Sequence, residues 1–221
     1  MRILAINGSP RINWNTATLL QKALDGAASQ GAQVEMINLY DINYSGCTSC
    51  YSCKRVGNQH RCMFHDDLYR VLEKMSRADG LIFGSPVIFG SVSSGMAACL
   101  ERFLFPYILY GYEIVDTDKS QIPSAFIFTE DAMKKKFGYQ LQGLSGYETI
   151  IKRVLGEDTE MMDFNDSHNF SNCRQCKNTE CKMYGRSDDE ERAQDFPREC
   201  QDAYMLGVRI VQKALVKNNK M

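Results

Sequence analysis

Four cysteines crowd one short stretch of this chain. Cys47, Cys50 and Cys53 follow one another as C-x2-C-x2-C, and eight residues separate Cys53 from Cys62. Thiols this close together serve as metal or cluster ligands, as a redox pair or as a disulfide staple. Three cysteines at that spacing are the arrangement that sets three thiolates around one [4Fe–4S] cube in ferredoxin-type loops, and Cys62 would be the fourth ligand. Tetrahedral zinc is more often met by two separated C-x2-C pairs. The competing reading is a set of reactive or merely packed thiols with no metal. His60 and His65 flank the loop and read as solvated. A second group, Cys173, Cys176 and Cys181 with Cys200 beyond, has metal-compatible spacings. It could form a second cluster, a zinc knuckle, or thiols that meet only in a dimer. Cys99 falls at a helical apolar position and reads as core.

The compartment decides what nine cysteines do. The start, MRILAINGSPR, has an apolar run of four residues, shorter than the core of a secretory signal. No stretch approaches the ~18 apolar residues of a membrane span. The expectation is a cytoplasmic protein that touches no membrane, where thiols stay reduced. The chain has 221 residues, 44% hydrophobic and 24% charged, with a formal net charge of −1. That balance is ordinary for a globular protein and supplies no field for nucleic acid. The run Lys134–Lys136 reads as a solvated face.

The elements that must position these residues alternate along the chain. Apolar runs at 2–7, 34–39, 80–85, 124–129 and 159–164 read as strands. Between and after them, helical periodicity covers about 15–30, 92–105, 140–155 and 200–217. In the first helix Leu19, Leu20, Ala23, Leu24, Ala27 and Ala28 share the helical spacing, with Asn15 or Thr16 as the cap and Gly31 as the end. In the last, Tyr204, Val208, Val211 and Leu215 are expected on one face. Asp66–Asp67 is expected to cap a helix. Strands alternating with helices give an α/β fold with a doubly wound parallel sheet. Segments 40–66 and 166–198 fit the alternation poorly, and both are rich in cysteine.

In such sheets ligands sit beyond the carboxyl ends of the strands. The loop after the first strand, GSPRINWNT (8–16), offers Ser9, Arg11, Asn15 and Thr16 at the amino end of a helix. That suits a phosphate monoester, although the same residues could simply cap the helix. The loop matches neither G-x-x-x-x-G-K-[ST] nor G-x-G-x-x-G, which disfavours a nucleotide triphosphatase or a dinucleotide Rossmann site. The loop after the third strand, SPVIFGSVS (85–93), combines proline, bulky apolar residues, glycine and serines, a composition able to wrap a flat ring. Together the two loops would hold both ends of one FMN at the switch point of the sheet. Trp14 could cover the flavin, meet another subunit or pack on the surface. The aromatic run FLFPYILYGY (103–112) reads as core packing, with a subunit contact second.

Three motifs carry a family resemblance: ILAINGSPR with Asn15–Thr16, DGLIFGSPVIFGSVS with LERF after it, and the cysteine loop ending CMFHDD. With the late stretch FPRECQDAYMLGVRI, they resemble the NAD(P)H-dependent FMN reductase-like branch of the flavodoxin fold. Within that branch they resemble the iron–sulfur flavoproteins. The resemblance covers residues 1–105 and the last helix, and is weak over 106–195.

It implies a single flavodoxin-like domain over 1–221, with a five-stranded sheet in the order 2-1-3-4-5. A cysteine-rich loop is inserted at about 44–66 and a second cysteine-rich segment lies at about 166–200. It implies FMN phosphate contacts from Ser9, Arg11, Asn15 and Thr16. Ring contacts would come from the segment Ser85, Pro86, Val87, Ile88, Phe89, Gly90 and Ser91, with Thr129 added. Cys47, Cys50, Cys53 and Cys62 would hold a [4Fe–4S] cluster. Two departures stand out: Ile88 replaces a frequent tyrosine, and the gap before Cys62 is longer than is typical.

The function so implied is electron transfer from ferredoxin or NAD(P)H, through cluster and FMN, to a small acceptor such as a quinone or an oxygen species. No side chain is assigned as acid or base. A homodimer or homotetramer is expected, with the cluster able to serve a neighbouring chain's flavin. The alternatives are a cluster-free NAD(P)H-dependent FMN or quinone reductase and, in another class, a non-catalytic metal- or redox-sensing module.

Overall fold

A computed structural model describes residues 1–58, 61–108, 122–130, 142–165 and 186–218. His60, Lys134–Lys136, Cys173, Cys176 and Cys181 lie outside the described residues, as does most of the segment 166–198.

Five parallel strands make the sheet: β1 (Arg2–Asn7), β2 (Gln33–Asn38), β3 (Gly80–Ile88), β5 (Ser124–Glu130) and β6 (Glu160–Asn165). Their spatial order is β2-β1-β3-β5-β6, and a two-residue strand β4 (Ser91–Val92) pairs antiparallel with the end of β3. Apart from β4, which shifts the numbering, this is the expected 2-1-3-4-5 order. The chain leaves β1 toward β2 and returns to β3, so the order reverses between β1 and β3, where a doubly wound sheet binds its ligand.

The apolar runs are continuous because both faces of the sheet are covered, and the period of two sorts them. Ile3, Ala5, Ile82, Ala125 and Ile127 face one core, and Leu4, Ile6, Leu81, Phe83, Phe126 and Phe128 face the other. Helices α1 (Asn15–Ser29) and α5 (Arg186–Asn218) cover the first face. Helices α2 (Asp67–Ser76), α3 (Ser94–Leu104) and α4 (Gln142–Leu155) cover the second. Cys99 is fully buried there, and burial pushes its thiol up to about 12. No helix among the described residues is long and apolar enough to cross a membrane.

Several expectations shift. The N-cap of α1 is Trp14, not Asn15 or Thr16. Asp66 holds the N-cap position of α2 without capping it. Its carboxylate is drawn instead to Arg102, and that of Asp67 accepts the Asn43 N–H at 2.9 Å. In α5 the covered face is Ala203, Leu206, Ile210, Val211 and Ala214, and Leu215 is exposed. Val208 and Val211 of the expected face are buried, and the covered stripe leaves Leu215 on its outer side. Ala28 of α1 is likewise exposed. The segment after β3 is a tight hairpin, not a loose loop, since Val87 pairs with Val92 and Ile88 with Ser91.

Candidate functional site

The β1 and β3 loops meet at the switch point. Asn7 is fully buried at the end of β1, donating to Asn38 Oδ1 on β2 and accepting the Ser9 N–H, both at 3.0 Å. Ser9 Oγ then brackets Arg11, donating to its carbonyl at 3.2 Å and accepting its N–H at 3.1 Å. These bonds turn the chain sharply into α1. Trp14 at the N-cap carries an indole that only donates, so it gives the helix N–H groups no side-chain acceptor. The Arg11 guanidinium lies 4.7 Å from the Trp14 ring centroid. A helix amino end with Ser9, Arg11 and Asn15 gathered at its mouth suits an anion.

Thr16 and Thr129 are buried, and their hydroxyls lie 2.8 Å apart. Thr129 therefore sits under the phosphate-type loop at the start of α1. Gly8 touches β3 directly, its N–H donating to the Gly84 carbonyl at 2.8 Å, and a Cβ on Gly8 would come within 2.7 Å of Met96 Cβ.

The hairpin β3–β4 turns through Phe89 and Gly90, with φ of 51° and 74°. Two positive φ values are what a two-residue hairpin of the primed type requires. Gly90 meets that at no cost, whereas a left-handed phenylalanine is a strained choice. Phe89 is 94% exposed and Ile88 beside it 43%, so the tip presents apolar surface outward. At its base, Ser85 Oγ accepts the Ser93 N–H at 2.9 Å. Ser93 Oγ accepts the Met96 N–H as the cap of α3 and donates to the Gly8 carbonyl at 2.5 Å. One serine thus fastens the two loops together.

Among the described residues of the cysteine stretch, from 42 to Asp66, one short turn of helix forms at Ser52–Lys54. Ser49 and Tyr51 take left-handed φ values of 53° and 54°, which curl the chain between successive cysteines. Cys47, Cys50, Cys53 and Cys62 all line one cavity of about 20 Å³ between this loop and Arg102. Among the described residues no three His, Cys, Asp or Glu side chains are drawn together as ligands of a metal ion. Four thiols lining one cavity are the donor set that a four-iron cluster takes. The cavity's volume is near that of one water, so holding a cluster requires the thiols to spread. Cys47 and Cys50 are exposed.

Charge around the thiols is uneven. Hydrogen bonds from Ser52, side chain first and then backbone, hold the Cys50 thiol below its ordinary range. Burial pushes Cys53 up, opposed by the Lys54 ammonium. Burial likewise pulls Lys54 down, against the pull of Cys53 and Cys47. Lys54 Nζ donates to the carbonyls of Phe105 at 2.5 Å, Pro106 at 3.3 Å and Ile108, collecting carbonyls just past the end of α3. Arg102, from α3, reaches the other side of the loop and pairs with Asp66 at 2.5 Å. Next to Cys47, a mostly apolar cavity of about 560 Å³ opens between α3 and α4, with Leu100, Leu104, Phe105, Tyr147 and Ile150 on its walls.

The sequence pattern of the NADPH-dependent FMN reductase family matches residues 1–115. The chain belongs to this family. An iron–sulfur flavoprotein of Methanocaldococcus jannaschii is 40% identical over 102 residues, 46% of this chain and 51% of that protein. One of Archaeoglobus fulgidus is 37% identical over 102 residues, 46% and 48% of the two chains. The chain thus spans about half the length of the curated relatives it matches. An NAD(P)H:quinone oxidoreductase from Methanothermobacter marburgensis superposes with a TM-score of 0.60 at 14% identity, over 95% of this chain and 96% of that one. An azoreductase gives 0.64 at 11% identity, over 95% and 100%. A flavodoxin from the Archaea gives 0.51 at 11%, over 97% and 99%. These structures share the flavodoxin-like fold.

Residue-by-residue reading did not single out Asn7, one step ahead of the loop 8–16, or Ser93, the last residue of the stretch 85–93. Ser93 had a signal, being a serine just ahead of a helical run. Asn7 had only the turn it makes to the Ser9 N–H two residues on, since its other partner, Asn38, is distant in sequence. Glu101 and Arg102 were seen only as part of LERF. His65 stacks on Tyr69 at 4.1 Å, a packing role.

Proposed function

We propose that this chain is an electron-transfer flavoprotein that binds FMN at the β1–β3 switch point and a [4Fe–4S] cluster in the cysteine loop. Ser9, Arg11, Asn15 and Thr16 hold the phosphate at the amino end of α1, with Thr129 beneath them. The segment from Ser85 to Ser91 packs on the isoalloxazine, its strained apolar tip shielding the ring. Cys47, Cys50, Cys53 and Cys62 hold the cluster. When bound, FMN exchanges one or two electrons and a cluster passes one at a time, so the pair can split or collect an electron pair.

The protein's own residues bind, orient and shield, and none is assigned to move a proton. A reduced nicotinamide or ferredoxin is the donor, and a quinone or other small oxidant the acceptor. Family membership and the quinone oxidoreductase fold support the nicotinamide and quinone readings. The chain acts as a homodimer or homotetramer.

The observation that carries the flavin reading is the Ser93 latch, which joins a phosphate-type helix end to a hairpin at the one reversal in strand order. The cluster reading is supported by four thiols on one cavity. The test is iron, acid-labile sulfide and FMN per chain on anaerobically purified protein. Roughly four irons and one FMN are expected. FMN without iron, unrestored by reconstitution, would leave a cluster-free FMN or quinone reductase. Metal without flavin would leave a non-catalytic metal-binding module.

A further inference from the structure

The last full turn of α3 holds both ends of the cysteine loop. Glu101 Oε2 accepts the backbone N–H of Cys47, the first cysteine, at 3.1 Å. The next residue, Arg102, turns inward and is 2% exposed. Its Nε donates to Cys62 Sγ at 3.4 Å, and its Nη2 to the Phe64 carbonyl at 2.8 Å. Its Nη1 donates to the Ser45 carbonyl at 3.0 Å and to Asp66 Oδ2 at 2.5 Å. These acceptors lie on both sides of the span from Cys47 to Cys62. A guanidinium presents its donors in a fixed planar fork, so one side chain sets the separation of the two ends and the direction of the sulfur together. A lysine, with three donors on a single nitrogen, cannot serve all four acceptors.

We infer that Arg102 is a positioning residue that presents Cys62 as the fourth cluster ligand, while Glu101 fixes the backbone of the first. The inference rests on the cluster reading given above. It accounts for a fourth cysteine that works despite eight intervening residues: the long gap is closed from outside by α3. An N–H donated to a ligand sulfur stabilises the more negative, reduced state of a cluster. Its loss therefore moves the reduction potential in the negative direction.

The test uses the full chain with Arg102→Lys and Arg102→Gln. Before reconstitution, the alkylation rate of each cysteine by iodoacetamide is followed by mass spectrometry. Cys62 is expected to react at least about tenfold faster in Arg102→Lys, which frees the thiol from its hydrogen bond while keeping a cation beside it. In Arg102→Gln the lost cation also lowers the thiolate fraction, and the gain is smaller. Cys99 staying unreactive shows that the core is intact, and if Arg102→Gln exposes it, Arg102→Lys carries the test. After anaerobic reconstitution, Arg102→Lys is expected to keep its iron with a potential more negative than that of the parent chain. An unchanged Cys62 rate, or an unmoved potential in an iron-loaded Arg102→Lys chain, overturns the inference. A parent chain that takes up no iron although its Cys62 rate responds overturns the ligand role, and locates the failure in the cluster reading instead of the Arg102–Cys62 contact.

Discussion

The two faces of the sheet are built in opposite ways. On one, small and aliphatic residues let α1 and α5 press together until backbone meets backbone. A Cβ on Gly26 would lie 2.0 Å from the Tyr204 carbonyl oxygen, and one on Gly207 1.8 Å from that of Ala23. On the other, the core is aromatic, with Phe83, Phe103, Phe126, Phe128 and Tyr107 in successive ring contacts. That face carries the cysteine loop and the 560 Å³ cavity, and buried polar side chains hold it. A closed face needs only close packing, whereas a face that admits ligands must be held open by directed bonds. The helix α3 joins the second face to the β1 and β3 loops. Ser93 at its start grips Gly8 and Arg102 near its end grips the cysteine loop, about 13 Å further along the axis.

The largest effect is expected where backbone touches backbone. Gly207→Ala forces α5 away from α1, because the carbonyl it meets cannot rotate aside. Overpacking of a core typically costs about 1–3 kcal/mol, and a rigid neighbour puts this change at or above the upper end. Urea unfolding should show that loss, with the cysteine reactivities of the opposite face little changed in the folded fraction. A loss under about 0.5 kcal/mol, the usual range for a surface site, would mean that α5 can slide and that the closed face is not rigid.

This contrast also explains what could be read in advance. The alternation of strands and helices and most of the buried residues were legible because period-two and helical patterns are local, and the strand order followed from the family resemblance. The phosphate-type loop was legible from Ser9, Arg11, Asn15 and Thr16 lying within eight residues. The hairpin was not, since its pairing of Val87 with Val92 depends on a phenylalanine tolerating a positive φ. Trp14 at the N-cap defeated a rule of propensity for a similar reason, as the loop geometry is set by Asn7 and Ser9. The clamp on the cysteine loop was illegible because Arg102 acts on residues 36 to 57 positions away. The caps assigned to Asp66 and Asp67 were likewise lost to distant partners, Arg102 for the first and the Asn43 N–H for the second.

A middle-sized effect tests whether the second face truly depends on directed bonds. Burial pushes the Asp66 carboxyl up, but hydrogen bonds from Arg102 and from the Ser45 backbone outweigh it and hold the group below its ordinary 3.8. A carboxyl lowered in the folded state contributes stability that is complete above the unfolded value and is lost as pH falls through the folded one. Its Oδ1 has no hydrogen-bond partner among the described residues, so the charge leans on Arg102. Asp66→Asn should cost about 1–3 kcal/mol at neutral pH. It should also make the fall in stability below pH 3.8 shallower than in the parent chain. The lowered carboxyls of Glu35 and Glu160 keep a residual acid dependence in the variant. Parallel acid limbs in the two chains would show that Asp66 adds nothing and that packing alone secures the loop.

The smallest change should discriminate best between the two regions that α3 serves. Ser93→Ala removes one helix cap and one bond to the Gly8 carbonyl, and loss of a serine cap costs about 1 kcal/mol. If the latch aligns the phosphate-type loop with the hairpin, FMN binding weakens beyond what the stability loss explains. The hydrogen bond to Gly8 holds both loops in register, so without it part of the binding energy goes into bringing them back together. Fluorescence titration of FMN should then show a Kd raised about tenfold, roughly one hydrogen bond's worth. The Cys62 alkylation rate should stay near that of the parent chain, since Arg102 sits two helical turns further on and keeps its own partners. A Cys62 rate that rises together with the Kd would show α3 moving as one piece. The two candidate sites would then be mechanically coupled through a rigid helix instead of merely sharing it.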